Sequence, residues 1–282
     1  MNKEENWSDI IQSKSGWFEF HLDQIWKYRD LLFLFVRRDF YAGYKQTLFG
    51  PFWFVIQPVF ATFTYTIIFG KVAKIPTDGI PPAVFYMTGI TAWNYFSDCL
   101  NRTSSTFTSN AGIFGKVYFP RMIVPLSNVV SSLIRFIIQF LLLLSFIAYY
   151  YLKSANVHPN AWMLLTPFLL LIMAGMGLGF GIVISSLTTK YRDLQNFMGF
   201  GVQLLMYATP VVYPLSMVPE EFKFVSLINP MTGIVETFKY AFLGGGELNF
   251  MLLGYSFAFM VVLLFVGLML FNKVEKSFMD TV

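Results

Sequence analysis

Several stretches carry residue types able to hold a nucleotide or act on a substrate, and each fails on spacing. Lys116 follows Gly115 as in a phosphate-binding loop, but that loop also needs a glycine five residues before its second glycine and a Ser or Thr after the lysine. Asn110 and Val117 stand there instead. The run GMGLGFG, Gly175 to Gly181, resembles a dinucleotide fingerprint, yet it lies inside an apolar helical stretch with no strand before it. Its pairs Gly175 with Gly179 and Gly177 with Gly181 suit close helix packing instead. Glu220 and Glu221 are adjacent carboxylates with no second catalytic group nearby, which reads as a solvated loop. The lone Cys99 cannot close an internal disulfide, and its spacing to His21 and His158 matches no metal site. No nucleotide site or catalytic constellation survives, so no cofactor and no metal are expected in this chain.

Arg135 is the most costly residue. It falls near the middle of a long apolar run, where insertion of a charge costs about 2.5–3.5 kcal/mol, so it must face protein or water. Ser127, Ser131, Arg135 and Gln139 recur every four residues and share one helical face. Two readings stand: a structural tie to a neighbouring helix, or contact with a polar or anionic substrate. Aromatic residues are the second excess. Trp53, Gln57, Phe60 and Thr64 share a face of one apolar run; Gln203, Tyr207 and Pro210 share a face of another, with Tyr213 near its end. Rings beside amides and hydroxyls suit a sugar, whose C–H faces stack while its hydroxyls exchange hydrogen bonds. Lipid-facing Phe and interfacial Trp or Tyr explain such residues equally well.

The elements that must position these groups follow from composition. Of the 282 residues, 56% are hydrophobic, 19% aromatic and 13% charged, against about a quarter charged in a soluble domain. Runs of roughly 20 apolar residues cross a bilayer as helices, because lipid cannot satisfy the backbone. The expected fold is therefore all-α and polytopic, with spans at about 51–70, 83–102, 121–152, 162–187, 197–213 and 250–271. The Pro- and Gly-rich stretch at about 215–247 is too polar to cross alone and reads as a re-entrant helical pair. Residues 1–50 form a separate region without the pattern of a cleaved signal. Within it, Ile25, Tyr28, Leu32, Phe35 and Val36 make an apolar stripe on an amphipathic helix lying in the headgroup plane.

With the N-terminus inside, fourteen Lys and Arg fall on the cytoplasmic side and five opposite, with Arg135 set aside. Both termini should then be cytoplasmic. The net charge of +4 reflects that orientation rather than nucleic-acid binding. On the same side lie two basic loops, SNAGIFGKVYFPR after the second span and TTKYRDLQN after the fourth. In the first, Ser109 or Asn110 is placed to cap a short helix ended before Pro120. Ile113, Phe114, Val117 and Tyr118 would then project together as an apolar knob, a surface for a soluble partner rather than a mere turn.

At these residues the chain resembles the membrane-spanning permeases of ABC transporters that export bacterial cell-surface polysaccharides: O-antigen, teichoic acid and some capsules. The likeness is carried by RRDF with YKQTLFGPFWFVIQP, by NAGIFGKVYFPRMIVPLSNVV, by YRDL, by TPVVYP and by INPMTGIVETFKYAFLGG, in the family's order from about Arg37 to Gly245. Gly43 departs from the pattern, since the family often has a basic residue there.

The resemblance implies a homodimer in the bacterial inner membrane, with a channel on the dimer axis for a lipid-linked polysaccharide. It also implies two copies of a separate ATP-binding subunit holding ATP and Mg. Residues Gly112, Ile113, Phe114, Gly115, Lys116, Val117, Tyr118 and Phe119 become the coupling segment to that subunit, with Tyr191, Arg192 and Asp193 beside them. The channel candidates are Trp53, Gln57, Phe60, Thr64, Arg135, Gln139, Gln203, Tyr207 and Tyr213. A permease for a drug or lipid has the same topology. An integral-membrane glycosyl- or acyltransferase would need acids or His gathered at one face, and here they are scattered.

Overall fold

The computed structural model describes residues 22–45, 47–191 and 193–281. Residues 1–21, with Lys3, Lys14 and His21, and Arg192 lie outside the described residues. Every regular element among the described residues is helical. Two helices, α1 (Leu22–Lys27) and α2 (Arg29–Tyr44), form the N-terminal pair. A 3-10 turn, Gly50–Phe52, then leads into α3 (Trp53–Tyr65), which continues as a π-helical turn over Thr66–Val72. There follow α4 (Pro82–Ser104), α5 (Thr106–Phe114), α6 (Ile123–Leu152), α7 (Thr166–Thr188) and α8 (Leu194–Ala208). The chain ends in α9 (Glu220–Ile228), α10 (Pro230–Leu243) and α11 (Phe250–Thr281).

Local chemistry sets several of these boundaries. Asn229 accepts a hydrogen bond from the Met231 amide at 3.0 Å, with Pro230 at the first helical position, and Gly244 ends α10 at φ 76°. That pairs a capping side chain and an N-terminal proline with a left-handed terminal glycine. Asn249 likewise accepts from the Met251 and Leu252 amides at 2.9 and 3.2 Å.

The bundle is organised around α7, whose glycines occupy two faces. A methyl on Gly177 would lie 2.5 Å from Cys99 Cβ and one on Gly181 2.4 Å from Thr103 Cβ, both on α4. One on Gly175 would lie 2.5 Å from Met260 Sδ and one on Gly179 2.9 Å from Leu263 Cγ, both on α11. Small residues four apart thus let α4 and α11 approach opposite sides of one helix. The core around them holds Phe96, Met173, Met176 and Ile234, none accessible to solvent.

Four helical segments are long and apolar enough to cross a membrane: Gly50–Val72, Ile123–Leu152, Ala161–Thr188 and Phe250–Glu275. The chain is a multi-pass membrane protein. The expected span at 83–102 is helical and that at 197–213 is helical only as far as Ala208, and both differ from the other four for physical reasons. Asn94, Asp98, Asn101 and Arg102 lower the apolarity of α4, which is mostly buried among other helices. Helix α8 has only 15 residues and stops before Pro210. The polar stretch after it becomes α9 and α10, and α10 is buried along almost its whole length.

The amphipathic stripe is observed as drawn from the sequence. Phe35 and Val36 are buried, Ile25, Tyr28 and Leu32 half-buried, while Phe33 and Leu34 face outward. This face packs against α6.

Candidate functional site

A row of polar side chains joins α4 to α6. Asn128 Nδ2 donates to the Arg102 carbonyl at 3.1 Å, Arg135 Nη1 lies 3.9 Å from Asp98 Oδ2, and Asn94 Nδ2 donates to Gln139 Oε1 at 3.2 Å. The helices run antiparallel, so these are successive rungs. Helices α2 and α3 cover them. The Arg135 guanidinium stands 5.1 Å from the Phe54 ring centroid, and a Cβ on Gly43 would lie 3.5 Å from Arg135 Nη2. A cation over an aromatic face contributes about 0.5–2 kcal/mol. Side-chain exposures of 23% and 34% leave the Arg135–Asp98 pair within reach of water, so the ion pair itself contributes about 1 kcal/mol at most.

Sequence reasoning found one side of this row and missed the other. Arg135 and Gln139 take part; Ser127 bonds within its own helix to the Val124 carbonyl at 2.7 Å, and Ser131 Oγ is buried with no hydrogen bond among the described residues. Asn94, Asp98 and Arg102 on α4 were overlooked. The signal was present: they too recur every four residues.

The remaining channel candidates lie elsewhere. On α3, Trp53, Gln57, Phe60 and Thr64 are all exposed, Phe60 at 66%. On α8, Gln203 and Tyr207 are exposed beside Phe200 and Leu204. These are two uncovered aromatic faces, neither of which includes Arg135 or Gln139. The end of the α8 face borders a groove of about 410 Å³ lined by Ile75, Tyr207, Tyr213 and Phe222 among others. Tyr213 donates its hydroxyl hydrogen to the Tyr207 carbonyl at 3.0 Å. Buried Lys239 anchors this end, donating to the carbonyls of Pro210 and Tyr213, with Glu236 at 3.7 Å. Burial pushes the Lys239 ammonium down to about 8, against the opposing pull of Glu236 and Asp78.

The segment 112–119 differs from expectation in phase. Helix α5 starts at Thr106, three residues before the expected cap, so Ser109 and Asn110 lie inside it. Asn110 donates to the Thr106 carbonyl at 3.0 Å. Phe114 consequently turns inward, 5% exposed, and the four-residue knob is corrected to its distal half. Phe114 meets Phe107 and Phe119 at 6.0 and 5.8 Å; Phe119 meets Phe35 of α2 at 5.7 Å, and Phe107 stacks on Phe271 of α11 at 4.8 Å. Arg121 lies over the Phe114 ring and donates to the Glu275 carbonyl. Between the two buried rings, Gly115, Lys116, Val117 and Tyr118 are exposed, Tyr118 at 70%; Gly112 is also exposed and Ile113 half-buried. In the second loop, Tyr191 and Asp193 are exposed, and Arg192 lies outside the described residues.

A helical membrane bundle with a polar row inside it and open aromatic faces has the make-up of a transport permease. The chain belongs to the ABC-2 type transporter family, whose sequence model matches residues 30–243. It is 28% identical over 251 residues, 89% of this chain and 94% of the relative, to the O-antigen export system permease protein RfbA of Klebsiella pneumoniae. The protein of the same name from Myxococcus xanthus is 27% identical over 223 residues, covering 78% and 82%. The polysialic acid transport protein KpsM of Escherichia coli is 24% identical over 247 residues, covering 84% and 92%. These relatives are transport permeases, and the likeness supports a polysaccharide exporter.

Proposed function

We propose that this chain is the permease half of an ATP-driven exporter that moves a lipid-linked, O-antigen-like polysaccharide outward across the bacterial inner membrane. The observation that carries the reading is the family match over residues 30–243, together with O-antigen export relatives aligned along most of both chains. In this reading α4 and α8 complete six spans, both termini are cytoplasmic, and α9 and α10 form the extracytoplasmic re-entrant pair. Two copies pair around a channel. The exposed faces of α3 and α8, uncovered in one chain, then serve as the surfaces along which a glycan slides. Stacking on aromatic rings favours sugar rings without demanding one sequence.

The energy source is a separate ATP-binding subunit, two copies per assembly, which holds ATP and Mg. Its seat is the exposed loop Gly115 to Tyr118 with Tyr191 and Asp193 beside it. The loop's flanking rings, Phe114 and Phe119, share one core with Phe35 of α2 and Phe271 of α11. A push on Tyr118 is thereby delivered to the interface helix and the last helix together. Closely packed cores are rarely deformed gradually, so such a push shifts discrete arrangements.

Co-purification with the ATP-binding subunit tests this reading. The expected product has a two-plus-two mass and ATPase activity, and Val117→Asp with Tyr118→Asp should release the subunit from a folded permease. A chain that remains single and recruits no ATPase would refute it.

A further inference from the structure

Helix α8 is held firmly at one end only. Among its described residues Val202 alone is buried, and the helix packs on α4 and α7. Two glycines sit in its middle: a Cβ on Gly199 would meet nothing within 4 Å, and one on Gly201 only Phe197 of the same helix. The glycines of α7 are each required by a close neighbour. Those of α8 are not, and glycine weakens the helix interior it occupies. The chain directly after the helix is the opposite. Thr209 to Val212 are buried although they are not helical, and buried backbone outside a helix needs partners for its carbonyls. Lys239 of α10 supplies two: its ammonium donates to the carbonyls of Pro210 and Tyr213, the second at 3.2 Å, and lies 4.0 Å from the Phe85 ring centroid of α4. Asn229 Nδ2 donates to Thr209 Oγ1 at 2.7 Å, and that hydroxyl donates in turn to the Leu205 carbonyl at 2.7 Å. From the α4 side, a methyl on Gly89 would lie 2.5 Å from the Val211 carbonyl oxygen. The strap 209–213 is thus clamped between α4 and α10.

We infer that Lys239 and Asn229 are positioning residues, which hold the strap 209–213 as the fixed seat of α8 while the helix bends at Gly199 to Gly201. Tyr207 and Tyr213, linked by the Tyr213 hydroxyl on the Tyr207 carbonyl, keep their places. The first turns of α8, from Leu194 to Met198, move. An element with few buried contacts opens at low free-energy cost, and one whose buried polar groups are all answered does not. The moving end adjoins Tyr191 and Asp193, part of the seat proposed above for the ATP-binding subunit. A push there changes the width of the path at one end only, and the outer rings stay in register for the passing sugar.

This proposal rests on the reading of α8 as a wall of a glycan path, but its test involves no transport. Spin labels are placed in pairs on exposed positions, Leu171 with Phe197 and Leu187 with Tyr207, and buried Cys99 is left in place. The full-length permease is reconstituted in lipid nanodiscs, with labelled chain diluted into unlabelled chain, and distances are read by pulsed electron paramagnetic resonance. The pair ending at 197 should give a broad distribution and the pair ending at 207 a narrow one. Gly199→Ala with Gly201→Ala should narrow the first, leave the second unchanged and raise the thermal midpoint, as alanine does in a helix. Lys239→Met should broaden the second. Adding Glu236→Gln restores part of the midpoint but returns no donor to the strap, so the second distribution should stay broad. Asn229→Ser keeps a cap for α10 and removes the donor to Thr209, and it too should broaden the second pair. Equal breadth of the two pairs in the parent chain overturns the fixed seat, and an unchanged first distribution in the glycine variant overturns the bend. A narrow second pair in the Lys239→Met, Glu236→Gln chain shows that Lys239 serves stability alone. Loss of the dimeric mass in the glycine variant assigns both glycines to a contact between copies and also overturns the bend. The expected distances in a chain whose deletion leaves export untouched would sink the exporter reading and leave this one standing.

Discussion

Phe114 and Tyr118 lie four residues apart in one short segment, yet truncating them should do opposite things. Phe114 is 5% exposed, with Phe107, Phe119 and Arg121 against its ring. Phe114→Ala deletes a buried ring, which costs about 3–5 kcal/mol where the site cannot collapse. At about 2–4 °C per kcal/mol for a chain of this size class, the thermal midpoint should fall on the order of 10 °C. Tyr118, 70% exposed, should change stability by less than about 0.5 kcal/mol when replaced by Ala. Its effect should appear in the complex instead, as a loss of ATPase stimulation by the permease. Intrinsic fluorescence during heating of the purified variants gives the first quantity, and phosphate release by the reconstituted complex the second. If Phe114→Ala melts like the parent while Tyr118→Ala melts early, the ring assignment in the α2–α5–α11 core is wrong.

Other outcomes follow from the same packing. Gly177→Leu places carbon where a Cβ already meets Cys99 at 2.5 Å, so α4 and α7 must separate and the variant should fail to accumulate in membranes; normal expression and midpoint would contradict the close approach. Lys239→Met strands buried Glu236, a loss of about 3–5 kcal/mol, and adding Glu236→Gln should restore part of the midpoint. A double variant as unstable as the single would show that the pair is not coupled. Phe60→Ala with Tyr207→Ala, both on open faces, should leave the midpoint within a few degrees yet reduce surface polysaccharide in complemented cells; unchanged surface polymer would remove these rings from the path.

Features that depend on period alone were legible in the sequence. The stripe of Ile25, Tyr28, Leu32, Phe35 and Val36 needed only the helical repeat, and it is the buried face. The glycine pairs of α7 likewise announced two close helix contacts, though not that α4 takes one and α11 the other. What depends on a helix's starting point was not legible. Moving the start of α5 from Ser109 to Thr106 rotates the segment enough to turn Phe114 from the surface into the core. Partner identity was also hidden. Arg135 demanded a polar neighbour, but apolarity counts dispersed Asp98 among twenty mostly uncharged residues, and only the antiparallel register of α4 and α6 brings the two together. The weak apolarity of α4 has a related origin: Asn94 and Asp98 are matched by Gln139 and Arg135 of α6.

The central claim, export of a lipid-linked polysaccharide, is tested most directly by deleting the gene for this chain and tracing the polymer. The account predicts that the cell-surface polysaccharide disappears and that a lipid-linked glycan accumulates on the cytoplasmic side of the inner membrane, both reversed by the intact gene. Unchanged surface polymer, with no lipid-linked glycan retained inside, would contradict it.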